Sequence, residues 1–165
     1  MQSKKLTLWL MIFYLIALTW IILFKLEFSL KNLPHLRNIN LIPFGQSAIV
    51  NGRIDISEII YNALAFIPYG LLIHILWEKR SLFIQILLMA GTSLLFEIIQ
   101  YTFAIGASDI TDMISNTFGG IAGLAFAVFL SKAFEKSWIQ WINIVSLIGA
   151  IILTALIVIL FLANI

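Results

Sequence analysis

Four carboxylates and three carboxamides stand in a chain that is otherwise too apolar to hold them casually. Glu58 and Asn62 are four residues apart. Glu97 follows Ser93 by four residues and precedes Gln100 by three and Tyr101 by four. Asp109, Asp112 and Asn116 are spaced three and four. On α-helices each of these sets shares one face. A carboxylate withdrawn from water can serve as a general acid or base, and a neighbouring carboxylate or carboxamide can orient its partner. Glu97, Asp112 and Glu58 are therefore the candidate catalytic groups. An all-oxygen cluster could also hold Mg²⁺ or Ca²⁺, although carboxylates this close can share protons instead. With no Cys and two His, zinc is not expected. Gly-x-Ser-x-Gly, His-Glu-x-x-His and phosphate-binding loops are all missing. No cofactor and no metal ligands are assigned.

The elements that must position these groups are apolar spans. Of the 165 residues, 62% are hydrophobic and 11% charged, where a soluble domain carries roughly 25% charged residues. Too little polar surface remains to cover a water-facing globule. The fold class is therefore all-α, a polytopic membrane bundle of about five helices within a single membrane domain, 1–165. The spans are 6–24, 58–77, 82–103, 109–130 and 143–163. The first reads as a retained anchor rather than a cleaved signal, because it is longer than an h-region and no Ala-x-Ala-like site follows. Pro68 predicts a kink in the second span. Residues 25–57 form the one long connection, interrupted at Pro43-Phe44-Gly45, and could lie in the interface or dip into the protein.

Basic residues set the orientation. Lys4, Lys5, Lys79, Arg80, Lys132 and Lys136 fall in three short segments on one side, and the short loop 104–108 on the other side has none. The long loop holds Lys25, Lys31, Arg37 and Arg53, which weakens the contrast without reversing it. The expected topology is N-terminus in, C-terminus out. Trp77, Trp138, Trp141 and His74 are then expected at or near the inner interface. The net charge of +2 gives no reason to expect nucleic acid as a partner.

In that orientation every polar stripe lies in the outer half of its helix. A carboxylate against lipid costs about 2.5–3.5 kcal/mol, so the stripes should turn inward. The expectation is one polar pocket, opening outward, lined by the second, third and fourth spans. Asp109 and Glu58 are equally well explained as N-terminal helix groups, and Asp55 with Glu58 has capping-box spacing. Glu97 has no such role, since it lies about 9 Å from its helix end. Its structural alternative is a hydrogen bond to Asn62 or Asn116. Asn62 and Asn116 could simply join helices, and the Gly119/Gly120/Gly123 cluster reads as packing.

The series Asn40-Leu-Ile-Pro43-Phe44, Glu58-x-x-x-Asn62, Phe66-Ile-Pro68-Tyr-Gly70, Glu97-Ile-Ile-Gln100 and Asp109-Ile-Thr-Asp112-x-x-x-Asn116-Thr-x-Gly119-Gly120 resembles the VanZ-like family over about 38–130. The 143–163 span lies outside the resemblance and reads as a peripheral helix. Many relatives have Arg after the glycine matching Gly106, where this chain has Ala107; His35, Arg37 or Arg53 could substitute. The resemblance implies a bacterial plasma-membrane protein and a role in teicoplanin resistance, and leaves the reaction open. It also implies a binding set of Asn40, Glu58, Asn62, Glu97, Gln100, Asp109, Asp112 and Asn116.

Two functions follow. One is binding at the outer membrane face of an envelope lipid, a lipid-linked peptidoglycan precursor or the lipoglycopeptide. The other is an intramembrane carboxylate enzyme acting on such lipids or precursors. A small transporter is a weaker third reading, and would call for a homo-oligomer, for example through Gly119-x-x-x-Gly123.

Overall fold

A computed structural model describes residues 4–24, 36–44, 49–50, 53–54, 56–134 and 137–163. Five helices within it are long and apolar enough to cross a membrane. They are α1 (Lys4–Phe24), α2 (Ser57–Trp77), α3 (Leu82–Phe103), α4 (Ile110–Ala133) and α5 (Ser137–Ala163). The last begins earlier than the apolar run predicts, because Ser137–Ile142 continues the same helix and carries Trp138 inward. The long connection also contains regular structure. Short strands β1 (Leu36–Asn40), β2 (Ile49–Val50) and β3 (Arg53–Ile54) lie in it, and β4 (Ile105–Asp109) fills the expected loop between α3 and α4.

The tightest seam joins α2 to α4, and glycine makes it possible. A Cβ on Gly119 would lie 1.9 Å from the Ala63 carbonyl oxygen, one on Gly123 2.0 Å from that of Ile67, and one on Gly70 2.0 Å from that of Gly120. Only backbone-on-backbone contact fits there. Such closeness supplies the dispersion that holds helices together where lipid removes any hydrophobic drive. This corrects one expectation. The Gly119-x-x-x-Gly123 face is already filled by α2 of the same chain, so it is not free to form a homodimer.

The apolar core lies along this seam, with Phe66, Leu72, Met89 and Phe96 meeting Leu18 and Leu23 of α1. The helix α2 is continuous through Pro68, and the Tyr14 hydroxyl donates to the Ala65 carbonyl one turn before it. The outer surface of the helices is lined with apolar side chains such as Leu87, Leu95, Phe118 and Phe129. Peripheral α5 is exposed along most of its length and packs mainly against α1.

At the end of the bundle where α1, α2 and α3 meet the α2–α3 turn, polar groups are tied to one another. His74 is buried, with Nδ1 3.1 Å from Gln85 Oε1. The Gln85 amide donates to the Trp77 and Arg80 carbonyls at the end of α2, the first of which also accepts the Arg80 N–H. Trp138 is buried beside His74 at a ring separation of 6.2 Å. His74 and Trp138 are therefore buried inside the bundle. Trp77 and Trp141 are exposed. At the same end the Thr7 hydroxyl donates to Asn143 Oδ1 across 2.9 Å, joining α1 to α5.

Candidate functional site

The opposite end is built around a reversal of the chain. After Phe103, Ala104 takes a left-handed conformation, φ 55°, and its N–H closes onto the Gln100 and Tyr101 carbonyls. The chain then runs back as β4. Its last residue, Asp109, caps α4 by accepting the Thr111 N–H at 2.7 Å. The capping reading of Asp109 is thus realised, and it accounts for only one of the two carboxylate oxygens.

The other oxygen receives Asn40. Strands β1 and β4 pair in parallel, Leu36 opposite Ile105 through Asn40 opposite Asp109. Asn40 Nδ2 donates to Asp109 Oδ2 at 2.9 Å. Asn40 Oδ1 accepts the Ile42 N–H at 3.1 Å, an Asx turn that starts the Pro43-Phe44 corner. Phe44, at φ 59°, then presents its N–H to Thr111 Oγ at 3.0 Å. The Asn40-Leu-Ile-Pro43-Phe44 motif is therefore a clamp that carries the long connection onto the start of α4.

Glu97 is held from the same strand. Its Oε2 accepts the Asp109 N–H at 2.8 Å, and its carbonyl accepts the Ser108 hydroxyl at 2.6 Å. Neither Asn62 nor Asn116, the partners expected from the sequence, makes this contact. Asn116 instead donates to Ser93 Oγ at 2.9 Å, joining α3 to α4, and Gln100 donates to the Ile22 carbonyl of α1 at 3.2 Å. Three buried side-chain oxygens are left without a protein partner among the described residues: Glu97 Oε1, Gln100 Oε1 and Asn116 Oδ1. Burying an unpaired polar atom is costly, so such atoms need a reason.

A groove of about 290 Å³ supplies one for Glu97. Its floor includes Glu97, Asp109, Ser108 and Asn40, and its walls are Ile39, Leu41, Leu94, Ile98, Tyr101, Thr102, Ile110 and Met113. Glu97 is 7% exposed and Asp109 8%. The groove is not the polar pocket predicted, because its exposed surface is almost wholly apolar. It opens between α3 and α4, β1 forms part of it, and no residue of α2 lines it. Asn62 is half-buried and Glu58 exposed near the start of α2; Asp112 is half-buried on the first turn of α4. Of Glu58, Asp109 and Asp112, only Asp109 shares the groove with Glu97. Tyr101 is exposed on the groove wall rather than turned into the bundle. Among the described residues no three His, Cys, Asp or Glu side chains are grouped to hold a metal ion.

Sequence reasoning missed Ser108 and Thr111, which close the clamp. Their positions on either side of a capping Asp were the available signal. Arg37 pairs with Gly106 across the strands and donates to the Thr102 carbonyl at 3.3 Å, beside the groove. Lys25, Lys31, His35, Gly45 and Asp55 lie outside the described residues, as does the side chain of Arg53. The helix α2 begins after Ile56, which makes no side-chain cap.

No solved structure matches this chain. It is 36% identical over 159 residues to Protein VanZ of Enterococcus faecium, covering 95% of this chain and 94% of that protein. A sequence model of the VanZ/LLP1 family matches residues 11–135, from α1 through α4. The residues that build the clamp and the groove lie inside that match, and the chain belongs to the VanZ/LLP1 family.

Proposed function

We propose that this multi-pass protein resides in a bacterial plasma membrane and contributes to teicoplanin resistance by binding a lipid-anchored envelope molecule at the outer face. The observation that carries the reading is Glu97 Oε1, a buried oxygen with no partner among the described residues, on a side chain that lines an apolar-walled groove. Apolar walls with a few placed polar groups suit a ligand that is part lipid and part headgroup. The orientation follows from the basic residues of the short loops, with the groove end outward. Membership of the VanZ/LLP1 family and the likeness to Protein VanZ support the resistance role.

The test is survival of a susceptible host under teicoplanin with wild type, Glu97→Gln and Ile98→Trp at matched membrane levels. The wild type should protect and both variants should lose most of that protection. Undiminished protection by both would end the reading. The adjoining carboxylates Glu97 and Asp109 also suit acid–base chemistry, so the same membranes should be examined for lipids or precursors of altered mass. A mass change that depends on Glu97 would favour the enzyme over the binding protein.

A further inference from the structure

We propose that the groove between α3 and α4 holds one phospholipid whose headgroup carries a primary ammonium. This rests on the binding reading above and names its ligand. The groove floor presents acceptors. Asn40 Nδ2 is spent on Asp109, the Ser108 hydroxyl on the Glu97 carbonyl, and the Asp109 N–H on Glu97 Oε2. Glu97 lines this groove, and among the described residues its Oε1 remains buried without a partner. A ligand that satisfies it must bring an N–H or O–H, and one that also balances the adjoining Asp109 must bring positive charge.

The rim has the opposite sign. Arg37 is exposed and its guanidinium is anchored 3.3 Å from the carbonyl of Thr102, a residue of the groove wall. Acidic floor and basic rim match a zwitterionic headgroup, ammonium inward and phosphate toward Arg37. The wall of Leu94, Ile98, Ile110 and Met113 accepts the first part of an acyl chain. An anionic headgroup without an amine would face Asp109 with like charge. A quaternary ammonium has no hydrogen to donate.

Native mass spectrometry of the full chain in detergent tests this. It is offered equimolar phosphatidylethanolamine, phosphatidylcholine and phosphatidylglycerol with matched acyl chains. Retention of phosphatidylethanolamine should exceed that of phosphatidylcholine by about tenfold or more, the ratio expected for one charge-assisted hydrogen bond. Glu97→Gln keeps an oxygen for the Asp109 N–H but puts an amide donor where Oε1 stands, so it should abolish the preference while the protein still elutes as a folded monodisperse species. Ile98→Trp, which fills the groove away from the carboxylates, should lower retention of every lipid. Arg37→Gln should weaken phosphatidylethanolamine severalfold without reducing folded yield.

Equal retention of phosphatidylethanolamine and phosphatidylcholine overturns the proposal, as does a folded Glu97→Gln protein with its preference intact. So does selective retention of an amine-bearing lipid-linked precursor over phosphatidylethanolamine, when cell-membrane extract is supplied. The resistance assay separates this failure from that of the broader reading. Protection that requires Glu97, without any preference for phosphatidylethanolamine, leaves the functional reading standing and removes this ligand.

Discussion

The two ends of the bundle both bury polar side chains, and they treat them differently. At the Lys4 end, Gln85 uses its oxygen on His74 and its amide on two carbonyls, and Thr7 meets Asn143. At the Asp109 end, Glu97, Gln100 and Asn116 each keep one buried oxygen without a partner among the described residues. A closed network fixes geometry and has nothing left to offer a ligand. An open one costs stability unless something else fills it. The contrast assigns structure to one end and recognition to the other, although both are made from the same residue types.

The largest effect should come from the seam that joins the ends. Gly119→Ala would drive a methyl into the Ala63 backbone, where no side chain can swing away. Overpacking of this kind costs about 3 kcal/mol or more, since two helices must part. Thermal unfolding in detergent should fall sharply, and protection should disappear with the folded protein. If Gly119→Ala kept its full thermal stability, the shared frame behind the comparison would be wrong.

Next is Gln85→Leu at the closed end. It leaves buried His74 without its partner and takes the amide away from the Trp77 and Arg80 carbonyls. The expected loss is about 2–3 kcal/mol, with protection per folded molecule unchanged. Glu97→Gln at the open end should behave in the reverse way. The amide can still accept the Asp109 N–H in a side chain of nearly the same volume, so unfolding should move by less than about 1 kcal/mol. Protection should nevertheless be lost. A Glu97→Gln protein as unstable as Gln85→Leu would erase the distinction between the ends.

That distinction was only partly legible in the residues themselves. Five apolar runs and the helical spacing around Glu97 gave the spans and the inward stripe, because lipid leaves a buried carboxylate few other places to go. The spacing of Ser93, Glu97, Gln100 and Tyr101 could not tell a packed face from a groove wall, so Tyr101 was grouped with residues it flanks. The pairing of β1 with β4 was out of reach. It joins five-residue strands 69 positions apart in sequence, and the registering contact is Asn40 to Asp109. Nothing periodic marks so short a parallel pair. Helix position alone points His74 and Trp138 toward the inner membrane interface without showing their burial. Gln85 and a helix that starts at Ser137 bury them.

The smallest effect belongs to the link between α1 and α5. Thr7 and Asn143 are both fully buried and bond across 2.9 Å. Intuition gives such a bond great weight inside a membrane, but an unpaired hydroxyl or amide there also finds other partners in the unfolded helices. Interhelical hydrogen bonds in bilayers accordingly average about 0.6 kcal/mol. A double-mutant cycle of Thr7→Val and Asn143→Leu should return a coupling of about that size, with protection intact in all three variants. A coupling above about 2 kcal/mol would mean that α5 is held far more firmly than its exposure implies. Loss of protection without loss of stability would move recognition to the wrong end of the molecule.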